Sequence, residues 1–572
     1  MFCCPELLEP LRHLVNLTVN PCSEIFHYVC HGWNEKGANT LDVDAAKLTS
    51  PFAIMKSTTP NGAGRSLSAI FRSCIRLPTR PLEQEVLQAL IDIAPLAPPY
   101  GFKEILNLIV ALSLKYNVFL PVTIKDLENG YGLLIKPGIP AVMNFPGGNI
   151  ALEPLFGRFK VVSGLPVTMN EVLATAYNLP KASSSRTTTN GNLSLLETLL
   201  RGDSPITFRS ILTTVFPFPE ETTVVVKSFQ AVMDTLSLLT APNNQPTAMA
   251  FVFFDAAAVT YKLMYGLSVT SKMHLVDRCA QSIAHFRLLT FKAITEAVVS
   301  KSKDERVLAT VSDVKETIIS RLSSLGEERD RLLVSKLLGE LKTVLPSYAV
   351  KTITRTPNIS ENFVTNQLIN EEVQLLYGLS HDTLHRTLLK IMVIAPYFPL
   401  VEVEGNYLVI TPAVYSFVAT TRSEAHFDVL ASMGALVADA LWQLVLKTDA
   451  WSARVNAMLT KLKSCSAKGG GMGLAFPTLS LETVALAARK SDWEKPVLVL
   501  DLLKSSLSQV FFMRFVYFTA CRRSIFHGTE EAHAKEVVAF VNGTPGFREA
   551  FHCRDVVPQE NNTCIDGVKA LG

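Results

Sequence analysis

Apolar residues recur at three-to-four spacing through most of this chain, the period of a helix with one buried face. Val86 to Ile93, Phe102 to Leu112 and Leu193 to Leu200 carry the pattern, as do long stretches between His274 and Leu345. The run from Asp313 to Leu345 is amphipathic almost throughout, but Gly326 interrupts it. Glycine commonly ends helices, so the run reads as two helices in a hairpin. Strand-like segments are rarer. The clearest is Asn406 to Pro412, a β-branched stretch that stops at proline. Val429 to Leu446 is eighteen residues long and nearly all apolar, with Ser432, Asp439 and Gln443 as its polar members. A membrane span needs about 20 apolar residues and tolerates a central carboxylate poorly, so this segment reads as a buried core helix. Ser183 to Asn190 reads as a solvated loop and Gly469 to Gly473 as a flexible one. The pattern predicts a mainly α fold with a small β component, an α+β chain.

At 572 residues the chain is too long for one ordinary domain and suggests two or three. There is no internal repeat, and the 48% apolar content is that of a globular protein. The net charge of +3 is close to neutral, and lysines and arginines form no stripe. Nucleic-acid binding is therefore excluded as a working class. No G-x-S-x-G, P-loop or dinucleotide fingerprint occurs, which leaves serine hydrolase and nucleotide-dependent functions without support.

Ten cysteines could be buried thiols, metal ligands or disulfides. No C-x-x-C pair occurs, which argues against a structural zinc module. Asn-x-Ser/Thr sequons accompany them at Asn16, Asn192, Asn358 and Asn561; a fifth, at Asn542, is weakened by Pro545. Together they favour an oxidising, secretory setting, an extracellular or cell-surface protein. Met1 is followed at once by Cys3 and Cys4, with no basic segment leading into an apolar stretch. The expectation is a start that is missing or processed away, and no signal peptide or anchor is visible.

The segment from Asn20 to Trp33, NPCSEIFHYVCHGW, resembles the first signature of the neprilysin and endothelin-converting-enzyme zinc metallopeptidases at Pro21, Cys22, Phe26, Tyr28, Cys30 and Trp33. FREAFHC, from Phe547 to Cys553, with Cys564 beyond it, is similar to the family's closing motif. Gln509 to Cys521 looks like the apolar helix before it, and Cys74 and Cys279 fall at mid-chain cysteine positions of the family. The resemblance implies four disulfides: Cys22–Cys553, Cys30–Cys521, Cys74–Cys279 and Cys465–Cys564. It also implies a two-lobed fold: a strap over 1–44, a helical lid over 45–344 and a thermolysin-like lobe over 345–572. Cys3 and Cys4 fit the family pattern less well.

A peptidase of this kind needs two histidines four residues apart on one helix face, a glutamate beside the first and a third ligand downstream. The metal polarises the peptide carbonyl and its bound water, and the glutamate takes the proton. Aligned on Gly434, the five motif positions are Asp439, Ala440, Leu441, Trp442 and Gln443, so both histidines and the base are replaced. Glu482 remains at the third ligand position. The two carboxylates that would orient the histidines become Leu446 and Leu486, and the substrate-holding asparagine becomes Ile394. The family's downstream His-x5-Arg falls on Glu530 and Glu536, with His527 and His533 nearby. Two carboxylates and an amide make a poor zinc site and a weak calcium or magnesium one. No cofactor is expected, where active members carry zinc. Asp439 reads as a hydrogen-bonded helix residue, and Trp442 as a core aromatic or as a filler of the vacated cleft.

Two other places carry metal spacing. His381 and His385 lie four apart with Asp382 beside the first, and His27 and His31 flank Cys30. Both read more simply as chance spacing, and Cys30 as a disulfide partner. The expected function is a glycosylated, extracellular pseudopeptidase that binds peptides or proteins without cleaving them. The alternatives are an active zinc metalloendopeptidase built on His381, His385 and Glu482, and a degraded product that never folds stably. No ligand or oligomeric state is legible.

Overall fold

The computed structural model describes residues 15–35, 62–96, 98, 100–126, 132–180, 187–199, 207–215, 217–268, 272–353, 358–378, 383–393, 396, 398–418, 426–463, 474–489, 496–500, 503–521 and 530–553. They are mainly helical, with three small sheets. The chain divides into two compact units. One contains the described residues of Met1–Thr58, Phe291–Thr352 and Thr387–Gly572, and the other those of Thr59–Thr290 and Ile353–Arg386.

The second unit is built on the Gln245–Ser268 helix, whose Phe251, Phe253, Phe254 and Asp255 are wholly buried. Asp255 Oδ1 accepts the backbone N–H of Val142 at 3.1 Å, while Oδ2 has no partner among the described residues. Its four-stranded sheet runs β1 (Val122–Asp126), β2 (Gly132–Pro137), β4 (Thr223–Lys227), β3 (Thr188–Gly191), with β2 and β4 parallel. Strand β3 corrects the reading of Ser183 to Asn190 as loop throughout: Thr188 to Asn190 pair with β4. Leu193–Leu199 forms a tighter 3-10 helix rather than an α-helix. Cys74–Cys279 staples the Ala63–Arg76 helix to the Lys272–Ile283 helix, both sulfurs fully buried.

In the first unit the amphipathic run becomes the expected hairpin. The Lys301–Leu325 helix begins at Ser300, whose side chain accepts Lys303 N–H, and ends at Gly326. Glu327 and Asp330 then form a capping box for the Glu328–Gly339 helix. The run does not stay helical to Leu345. Its end forms β5 (Lys342–Val344), which pairs in parallel with β7 (Tyr407–Ile410) because the β-branched residues there find a sheet edge. β6 (Val401–Glu404) closes the other side through a turn at Gly405, whose φ of +56° suits glycine. Strands β8 (Pro496–Leu500) and β9 (Leu503–Ser506) form a separate hairpin.

The Pro21–Glu35 helix packs on the Leu507–Ala520 and Glu530–Asn542 helices. Cys22–Cys553 and Cys30–Cys521 fasten it there. Cys465 and Cys564, the remaining expected bridge, lie outside the described residues. The long apolar stretch forms a buried His426–Lys447 helix, as its internal carboxylate indicated. Pro242–Leu267 is also long and apolar enough to cross a membrane, and it is likewise mostly buried in the fold.

Candidate functional site

Three helices of the first unit meet at the expected site: Lys301–Leu325, Ala435–Lys447 and Pro477–Ala488. The middle helix is entered through a π-helical turn, Leu430–Gly434. At Gly434 a side chain would press against Val484 and Thr310, so the small residue lets the three helices close up.

Asp439 is buried, yet its carboxylate is fully engaged by the chain. Oδ1 accepts the Phe476 N–H at 2.6 Å and lies 3.4 Å from the Ser480 hydroxyl. Oδ2 accepts the Ala475 N–H at 3.0 Å and the Gln443 amide at 2.8 Å. Phe476 is the residue before the Pro477–Ala488 helix and offers no capping side chain. Asp439 supplies that cap from a neighbouring helix, placing negative charge at the positive end of the helix dipole. Burial pushes its carboxyl up, and the donated hydrogen bonds oppose the shift.

Ala440 and Leu441 are buried, and neither carries a titratable group. Trp442 is wholly buried and donates its indole N–H to Thr483 Oγ1 at 2.9 Å, so its ring fills the interface between two helices. Leu446 is packed in the core.

Glu482 is buried, and Oε2 has no partner among the described residues. Burial raises its carboxyl, offset first by Arg321 and then by Arg489. Arg321 is itself buried on the Lys301–Leu325 helix, with Nε and Nη1 unpartnered among the described residues. Nothing in the sequence pointed to Arg321: its spacing is that of an ordinary core-facing helix position. Ser480 was equally silent, as were the backbone donors of Ala475 and Phe476.

The residues present do not fit a catalytic zinc. Its ligands must offer free lone pairs in a tetrahedral array. Asp439 has spent its own on N–H donors, the Gln443 amide donates inward, and a guanidinium neighbours Glu482. Among the described residues, no three His, Cys, Asp or Glu side chains converge as a metal site would require.

The other candidates are placed less fully. His381 and Ile394 lie outside the described residues, as does His527. His385 belongs to the Thr383–Leu388 helix. Cys30 is in a disulfide and is no ligand beside His27 and His31. His533 is buried, with its ring edge-on to Phe26 and Nε2 3.1 Å from the Ala520 carbonyl, and burial lowers its pKa. It serves packing around the strap. Asn542 uses its amide to donate to the Cys22 carbonyl at 3.0 Å, and Thr544 of that sequon is fully buried. Asn192 and Asn358 are exposed and Asn16 half-exposed, while Asn561 lies outside the described residues.

No protein-family model and no curated protein sequence matches the chain. Solved structures do. The open state of zinc metalloprotease 1 of Mycobacterium tuberculosis superposes with a TM-score of 0.60 at 12% identity, over 96% of this chain and 99% of that one. A partially open state of the same enzyme gives 0.52 at 13% identity, over 96% and 99%. A galactose-containing glycoprotein complex from Haemonchus gives 0.52 at 12% identity, over 96% of each chain. At such identity the likeness establishes the fold: this chain has the mainly helical α+β architecture of these solved structures along nearly all of its length.

Proposed function

We propose that this chain is a catalytically inert member of the neprilysin and endothelin-converting-enzyme family, an extracellular pseudopeptidase that binds peptides or proteins without cleaving them. Shared fold over nearly the whole length and the motifs around Cys22, Cys30 and Cys553 support membership. The three disulfides among the described residues support an oxidising, extracellular setting.

One observation carries the inert reading. The carboxylate at the first zinc-ligand position is consumed as a helix cap, and the next residue, Ala440, cannot deprotonate water. Zinc chemistry needs a polarised water and a base positioned to take its proton, and Asp439 and Ala440 offer neither. Purified protein from a secretory host, incubated with a mixed peptide pool, should release no fragments above the blank. Binding of peptides from that pool, read by calorimetry, should survive chelator. Chelator-sensitive cleavage that is lost with His385→Ala would instead establish an active enzyme with a non-standard site.

A further inference from the structure

We propose that the outer face of the Gly148–Ser163 helix, in the second unit, is a self-complementary surface on which a second copy of this chain docks antiparallel. The helix has two apolar faces. Leu152, Leu155, Phe156 and Phe159 are buried in the unit's core. On the other side Ile150, Pro154, Gly157 and Val161 all face out, Ile150 being 79% and Val161 81% exposed. These four positions fall within about 60° of each other around the helix, forming one continuous outward stripe.

Proline and glycine inside a helix are costly, and the unit's own packing does not ask for the glycine. A Cβ at Gly157 would meet nothing within 4 Å. A small residue there permits close approach by another backbone.

Charge selects the occupant. Glu153 and Lys160 are exposed on one flank of the stripe, two turns apart, and neither is in an ion pair among the described residues. Arg158 is exposed on the other flank. Two antiparallel helices related by a two-fold axis beside Phe156 and Gly157 bring each Glu153 next to Lys160 of the second copy. The same operation seats each Val161 between Ile150 and Pro154 of the second copy and brings the two Gly157 backbones side by side. Every pairing occurs twice, as in any isologous contact. A lipid surface would find an unpaired acid on the rim of the stripe. One helix pair buries area at the low end for specific interfaces, so the dimer is a weak one.

Sedimentation velocity on the full chain, across a concentration series, tests this. Wild-type protein should show a concentration-dependent monomer–dimer equilibrium. Val161→Glu should abolish it, and Glu153→Lys should raise the dissociation constant about tenfold by setting like charges opposite each other. Combining Glu153→Lys with Lys160→Glu should restore it. These side chains are exposed, so thermal melts of the variants should match wild type. A chain monomeric at every concentration would overturn the proposal, as would a dimer indifferent to Val161→Glu or a double reversal that fails to restore pairing. Monomeric protein that binds phosphatidylcholine–phosphatidylserine vesicles, and loses that binding with Val161→Glu, would assign the face to a membrane and overturn it too.

Discussion

Asp439 has a donor aimed at each carboxylate oxygen and more than one at both. Replacing it with Asn sets amide hydrogens against backbone N–H groups and strands at least one donor. Asp439→Asn should destabilise the protein by about 1–3 kcal/mol, the usual cost of an unmet buried hydrogen bond. Amide exchange should accelerate at Ala475 and Phe476, a readout that loss of a metal ligand would not produce. Asp255 yields a pH prediction. Its carboxyl, fully buried and with Oδ2 unpartnered, is pushed up to about 7 by burial, against the N–H bonds of Val142 and Ala141. A carboxyl raised on folding stabilises the fold most when it is protonated in both states. That stability is lost as pH rises from the ordinary aspartate range through about 7. Wild-type protein should therefore gain melting temperature between pH 7 and pH 5 relative to Asp255→Asn; parallel curves for the two proteins would contradict this. At this scale the sequence offered candidate motif positions, read by counting from Gly434. It did not tell what the side chains at those positions do. That Asp439 caps a helix 36 and 37 residues downstream, or that Arg321 neighbours Glu482, depends on tertiary contacts with no local signature.

Among the elements, the long periodic helices were the most legible. The Lys301–Leu325 and Glu328–Gly339 pair follows from periodicity and one glycine. Short elements were not: Thr188–Gly191 joins a sheet although its polar residues resemble a loop, because β4 offers an open edge. Lys342–Val344 leaves the helical pattern for the same reason. The disulfides act at this scale by tying helix to helix. Cys74→Ser with Cys279→Ser should cost about 2–5 kcal/mol, the range for a native bridge. Its melt should then become indifferent to the part of the reductant effect that this bridge contributes. A Trp442→Ala variant should lose about 3–5 kcal/mol, because it empties the wholly buried seam between the Ala435–Lys447 and Pro477–Ala488 helices. A loss under about 1 kcal/mol would show that the indole is not part of a packed core.

For the molecule as a whole, the two ends of the chain carried most of the legible information. Cys22, Cys30, Cys521 and Cys553 looked like a framework and form one, because a strap fastened by two bridges constrains both ends together. The exchange of segments between the two units had no marker: no composition shift at 290, 352 or 386 announces that Phe291–Thr352 packs with residues far downstream. The fold is that of solved zinc metalloproteases, and on the reading proposed above its chemistry has been lost: Asp439 caps a helix and Trp442 fills a helix interface. The most direct test is the zinc content of protein made through a secretory pathway, by elemental analysis after exposure to zinc and exhaustive dialysis. Less than about a tenth of an equivalent per chain is the expected result, because no tetrahedral set of deprotonated ligands converges among the described residues. A full equivalent of zinc, released by chelator and abolished by Glu482→Gln, would contradict it and restore the metal to the site.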